Sequence, residues 1–146
     1  QNVGANNYQR VKKGAFISIL LSGGLSIFLA TIILTFSHTF MRIFIKNEDI
    51  IYLGSQIAFT TFPFYWLYSI LEVLGSSLRG MGYSIVSMYV TTICLCAVRI
   101  SLLYLISKFN FDFKSVAYVY PMTWFITASI FIIAFLKIIN KKIKSN

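Results

Sequence analysis

Four long apolar runs leave this chain few ways to fold. A helix needs roughly 20 mostly apolar residues to cross the hydrocarbon of a bilayer. Residues 14–36 are 23 positions without a charge, and 116–136 are 21 without one. Residues 50–78 are 29 positions with Glu72 as their single charge, and 83–107 are 25 with Arg99 as theirs. Backbone in lipid must satisfy its own N–H and C=O groups, which predicts helices here rather than open strands. The predicted fold class is all-α, a polytopic membrane protein with four transmembrane helices. Of 146 residues 58% are hydrophobic and 12% are charged, against about 25% charged in soluble domains. The runs use most of the length, so no soluble catalytic domain is expected and the chain does not read as an enzyme.

The net charge is +9, from 13 basic and 4 acidic residues. In a soluble protein that excess points to nucleic acid. Here the basic residues flank the apolar runs, where they meet anionic headgroups, and nucleic acid is not an expected partner. Basic residues in short loops favour the cytoplasmic side. With the first residues inside, Arg10, Lys12, Lys13, Arg79, Lys137, Lys141, Lys142 and Lys144 fall inside, eight in all, and Arg42, Lys46, Lys108 and Lys114 fall outside, four in all. That bias predicts both ends on the cytoplasmic side. The sequence opens on Gln1 without a signal-peptide pattern, which is expected of a piece of a longer polytopic chain. Cys94 and Cys96 are two residues apart, about 200° around a helix, so they cannot pair with each other or share a metal.

Between the runs, residues 37–49 mix Phe40, Ile43 and Phe44 with charges and suit a short interfacial helix. Asn47 before Glu48 and Asp49 reads as an N-cap with acids in the first turn. Pro63 should kink or break the second run. Gly80-Met81-Gly82 predicts a tight turn, 108–115 a polar loop, and 137–146 a basic cytoplasmic tail.

An ionisable residue inside the membrane is a candidate functional group by default. On a helix Tyr65, Tyr68, Glu72, Gly75 and Arg79 follow at steps of three, four, three and four, one stripe from aromatic through acidic to basic. Glu72 must face protein or water. With Tyr68 and Tyr65 beside it, it suits a site that binds and releases a proton or a cation; otherwise it only bonds a neighbouring helix. Arg99 is the other intramembrane charge. Counted along the helices it lies roughly 15 Å from the depth of Glu72, too far for a salt bridge. It is expected to snorkel outward or to bind a residue outside this sequence. Gly14, Ser18, Ser22, Ser26 and Ala30 recur every fourth residue, a small-residue ridge for helix packing. Tyr118, Tyr120, Pro121, Thr123 and Trp124 read as an interface belt or an outer gate. His38 has no second ligand near it in sequence, and no metal cluster, nucleophile–base pair or phosphate loop is evident.

Several segments resemble the C-terminal part of the multidrug and toxic compound extrusion (MATE) transporters. Gln1-Asn2-Val3-Gly4-Ala5, with Arg10 and Lys12-Lys13-Gly14, is similar to the family's segment between its eighth and ninth helices. Gly75-Ser76-Ser77-Leu78-Arg79-Gly80-Met81-Gly82 resembles the run after the tenth helix, and Pro63-Phe64 that helix's start. Arg99-Ile100, Tyr120-Pro121-Met122-Thr123-Trp124 and Glu72-Val73-Leu74 resemble a bacterial subgroup. The ordered set covers the whole chain. The resemblance implies helices nine to twelve of a fold with two six-helix lobes. The N-terminal lobe and two further helices of the same polypeptide would then be its partners, with the lipid bilayer. It implies export of small cationic or amphipathic substrates by alternating access, coupled to inward Na⁺ or H⁺, with no other cofactor. It also implies a bacterial cytoplasmic membrane. Some members bind the coupling cation with an aspartate in the tenth helix. That position is Tyr68 here, which leaves Glu72, one turn on, as the possible substitute. A lipid or polysaccharide flippase of the same superfamily, a small four-helix exporter acting as a dimer, and a non-transport membrane subunit are the alternatives.

Overall fold

The structure, a computed structural model, describes residues 1–109 and 112–144. Asn110 and Phe111 of the expected loop, and Ser145 and Asn146 of the expected tail, lie outside the described residues. The described chain is helical and has no strand. In order it forms α1 (Tyr8–Thr35), α2 (Ser37–Phe44), α3 (Glu48–Thr61), a 3₁₀ turn (Phe62–Phe64), α4 (Tyr65–Gly80), α5 (Ser84–Thr92), a π turn (Ile93–Val98), α6 (Arg99–Phe109) and α7 (Phe113–Lys144). Four segments among the described residues are long and apolar enough to cross a membrane: Tyr8–Thr35, Glu48–Gly80, Ser84–Lys108 and Lys114–Lys144.

The local chemistry sets these limits. The Asn7 side chain accepts from the Arg10 amide at 3.1 Å, so α1 begins at Tyr8, six residues before the apolar run. A helix start is fixed by whichever residue can hold the free amides, not by hydropathy. Asn47 caps α3, accepting from the amides of Asp49 at 2.9 Å and Ile50 at 3.4 Å. Pro63 cannot donate an amide hydrogen, and the run from Glu48 to Gly80 passes there through the 3₁₀ turn instead of one continuous helix. After α4 the amide of Tyr83 bonds the carbonyl of Leu78 and that of Gly82 bonds Arg79. This is a Schellman end with Gly82 in the left-handed region at φ +87°, where glycine alone is unstrained. The basic segment that follows the last apolar run continues α7 as helix through Lys144.

The centre of the bundle is the seam between α4 and α7. Leu67, Leu71, Leu74 and Leu78 repeat at steps of four, three and four, and bury against Trp124, Ala128, Phe131, Phe135 and Ile139. Matching heptad-like spacing on two helices is what knobs-into-holes packing requires. α1 lies against α4 and adds Ala15 to this core. α1 buries only Ala15 and Ala30, while Phe16, Leu20, Leu21, Leu25 and Phe28 face outward. That is an apolar surface suited to lipid or to further helices. Lys12 Nζ donates to Asn140 Oδ1 at 3.2 Å, so the start of α1 and the end of α7 share one end of the bundle.

Candidate functional site

The leucine stripe of α4 turns its opposite side outward, and that side carries the residues the sequence spacing grouped. Tyr65 and Tyr68 are exposed by 37% and 41%. The side chains of Glu72 and Arg79 are exposed by 57% and 47%, although they sit on a membrane-crossing segment. Gly75 between them is buried. A Cβ at Gly75 would stand 3.4 Å from Arg79 Nη1 and 3.3 Å from Phe131. A side chain at Gly75 would press first on Phe131 of the core, with Arg79 and Ser87 at contact distance.

Arg79 anchors a short polar chain. Arg79 Nη2 donates to Glu72 Oε1 at 3.2 Å, and Nη1 donates to Ser87 Oγ at 3.0 Å. Ser87 is buried on α5 and donates onward to the Gly75 carbonyl at 3.2 Å. The planar guanidinium fork suits this use, since its nitrogens can serve two acceptors at once. Glu72 thus bonds within its own helix, not to a neighbouring one.

The other half of the face is aromatic. Trp124 of α7 meets Tyr65 edge-on at 5.1 Å between centroids, Tyr68 at 5.7 Å and Tyr120 at 6.3 Å. Arg99 stands 4.6 Å over the Tyr120 ring and donates from Nη2 to Thr123 Oγ1 at 2.8 Å and from Nε at 3.3 Å. Two expectations are corrected here. Arg99 does not need to snorkel or to bind outside this chain; it has partners on α7, at a depth the residue count could not relate to α7. Trp124 and Thr123 are not a lipid-facing belt: they are 6% and 0% exposed and pack inside, while Tyr118 of the same group is 53% exposed.

The small-residue ridge divides. Ser26 Oγ and Ser69 Oγ of α4 lie 2.7 Å apart, and Ser69 also reaches the Ser22 carbonyl at 3.4 Å. Ala30 is buried. Gly14 and Ser18 are exposed, and a Cβ on Gly14 would meet nothing within 4 Å. The hydrogen bonds to α4 are made at Ser22 and Ser26, while Gly14 and Ser18 line a cleft with Ser77 and Gly80 of α4.

Three residues of the site were not singled out from sequence for the places they hold. Ser69 is one small hydroxyl in a bulky stretch, which was a usable signal. Ser87 has no feature in sequence that separates it from Ser84. Thr123 was grouped with the belt because a span that is apolar all round has no periodicity to mark its inner face.

The arrangement offers a carboxylate with one cationic partner, open on one side, next to a wall of four aromatic rings. Such a carboxylate can exchange its partner for a proton or another cation, and aromatic faces attract organic cations. Among known proteins, a model of the MatE family matches residues 1–105. The "Probable multidrug resistance protein YoeA" of Bacillus subtilis (strain 168) is 20% identical over 110 residues. That match covers 75% of this chain and 24% of that protein, so the chain spans about a quarter of the relative's length. No solved structure matches.

Proposed function

This chain belongs to the MatE family, and from that footing we propose that it forms part of a multidrug exporter in which Glu72 couples efflux to an inward cation. The observation that carries the proposal is the exposed Glu72–Arg79 pair on a membrane-crossing helix. A carboxylate in the hydrocarbon without water or protein around it is costly, on the order of 2.5–3.5 kcal/mol even on the mildest scale. Glu72 is half-exposed toward a side that no described helix covers. That side is a cavity wall, completed by other helices of the whole protein. A Glu72 kept only for packing would sit buried against a neighbour.

In one access state Arg79 holds the carboxylate. In the other, H⁺ or Na⁺ takes the carboxylate and Arg79 is retained by Ser87. Small cationic or amphipathic substrates rest against Tyr65, Tyr68 and Trp124, where the rings give apolar area and a negative face. The whole protein works by alternating access as an antiporter, in the cytoplasmic membrane of a bacterium.

The test is dye efflux at matched membrane expression. Glu72→Gln keeps the shape but cannot change charge, so uphill efflux should be lost. Glu72→Asp keeps the charge about one methylene short, so part of the efflux should remain. Efflux by Glu72→Gln equal to that of the parent would place coupling elsewhere.

A further inference from the structure

A groove of about 740 Å³ lies between α1 and α7, on another part of the molecule from the Glu72 face. Its floor is apolar, built from Phe16 and Ile19 of α1, Leu74 of α4, and Phe135 and Leu136 of α7. Its mouth is basic, with Lys12 and Lys13 on the rim. Lys142 stands 5.9 Å over the ring of Tyr8 at the same end. We propose that this groove is a binding site for one anionic phospholipid, with an acyl chain along the floor and the phosphate at Lys12 and Lys13.

Length identifies the occupant. The groove is lined on α1 from Gln9 to Ile19, eleven residues, or about 15 Å of helix, and the first five of these are the polar and basic start of α1. Counted from Gly14, where the apolar run begins, it enters the roughly 30 Å hydrocarbon by about 8 Å and stays within a single leaflet. Beyond it α1 closes on α4, where Ser22 and Ser26 meet Ser69. A groove that ends inside one leaflet fits an acyl chain, whereas a packed helix makes contact through the full thickness. Charge identifies the headgroup. Arg10, Lys12, Lys13, Lys137, Lys141, Lys142 and Lys144 gather at this end, and all four acidic residues, Glu48, Asp49, Glu72 and Asp112, lie elsewhere in the chain. Basic pockets between helices at a membrane surface bind acidic headgroups. Lys12 uses one of its three hydrogens on Asn140, which fixes the ammonium at the rim and leaves donors for a phosphate.

The proposal is independent of the transport reading, and so is its test. The whole protein is released from bilayers of mixed phosphatidylglycerol and phosphatidylcholine, and the retained lipid is counted by native mass spectrometry. Phosphatidylglycerol should be retained in preference. Lys12→Gln and Lys13→Gln should each weaken retention about fivefold. Ile19→Trp, which fills the floor, should abolish it, and Arg42→Gln at the other end should change nothing. Equal retention of both lipids, or groove variants that behave like Arg42→Gln, would overturn the site. So would a disulfide formed between a cysteine at position 16 and another helix of the protein.

Discussion

Arg79 and Glu72 stand two helical turns apart on α4, and their side chains meet at 3.2 Å past the bare backbone of Gly75. The pair is half-exposed, so it is a weak lock, worth about 0–1 kcal/mol. A weak lock suits the coupling role proposed for Glu72, which requires its partner to leave. Arg79→Gln should leave Glu72 without a competitor. The cation concentration needed for half-maximal efflux should then fall, by up to about fivefold. Arg79→Leu, which also removes the charge, should do the same. A rise in that concentration in both variants would mean that Arg79 assists cation binding instead of opposing it.

Arg99 makes a different prediction, about stability. Its bonds to Thr123 are charge-assisted, and such bonds contribute about 1.5–3 kcal/mol. A double-mutant cycle of Arg99→Leu and Thr123→Val isolates the pair. Unfolding in detergent should give a coupling energy of about 1–2 kcal/mol, smaller than the single-variant losses, because Arg99 also keeps its contact with Tyr120. Zero coupling would return Arg99 to a partner outside this chain.

The contrast between Glu72 and Arg99 shows what the sequence could reveal. Tyr65, Tyr68, Glu72 and Arg79 lie on one helix, so their spacing alone placed them on one face. Asn47 and the Gly80–Gly82 turn were equally legible, because caps and turns are local chemistry. The Arg99–Thr123 pair joins two helices, and its geometry depends on their relative depth and rotation. Neither is written in spans that are apolar on every side. The π turn at Ile93–Val98, just before Arg99, alters the rotation again, and no residue in it signals the change. Trp124 is ambiguous in sequence for the same reason: an aromatic in an all-apolar span looks alike whether it faces lipid or the bundle.

The contact of Ser26 with Ser69 gives a graded prediction. Hydrogen bonds between membrane helices contribute about 0.6 kcal/mol on average. Ser69→Ala should cost about that much in an unfolding measurement. Ser69→Leu should cost several times more, because it separates two helices that approach to 2.7 Å between hydroxyls. Equal losses from both substitutions would mean that the bond matters and the close approach does not.

The last prediction concerns orientation. Lys12 and Asn140 are joined at 3.2 Å, which puts the start of α1 and the end of α7 at one end of the bundle, while Asn47 caps α3 after α1 has crossed to the other. The basic residues divide eight to four between these ends, and such a bias sets the richer side in the cytoplasm. Single cysteines at positions 47 and 144, in a background without Cys94 and Cys96, can be probed in whole cells with a thiol reagent that does not cross membranes. Position 47 should label, and position 144 should label only after the cells are opened. The reverse pattern would invert the protein, and with it the leaflet that supplies the lipid at Lys12 and Lys13.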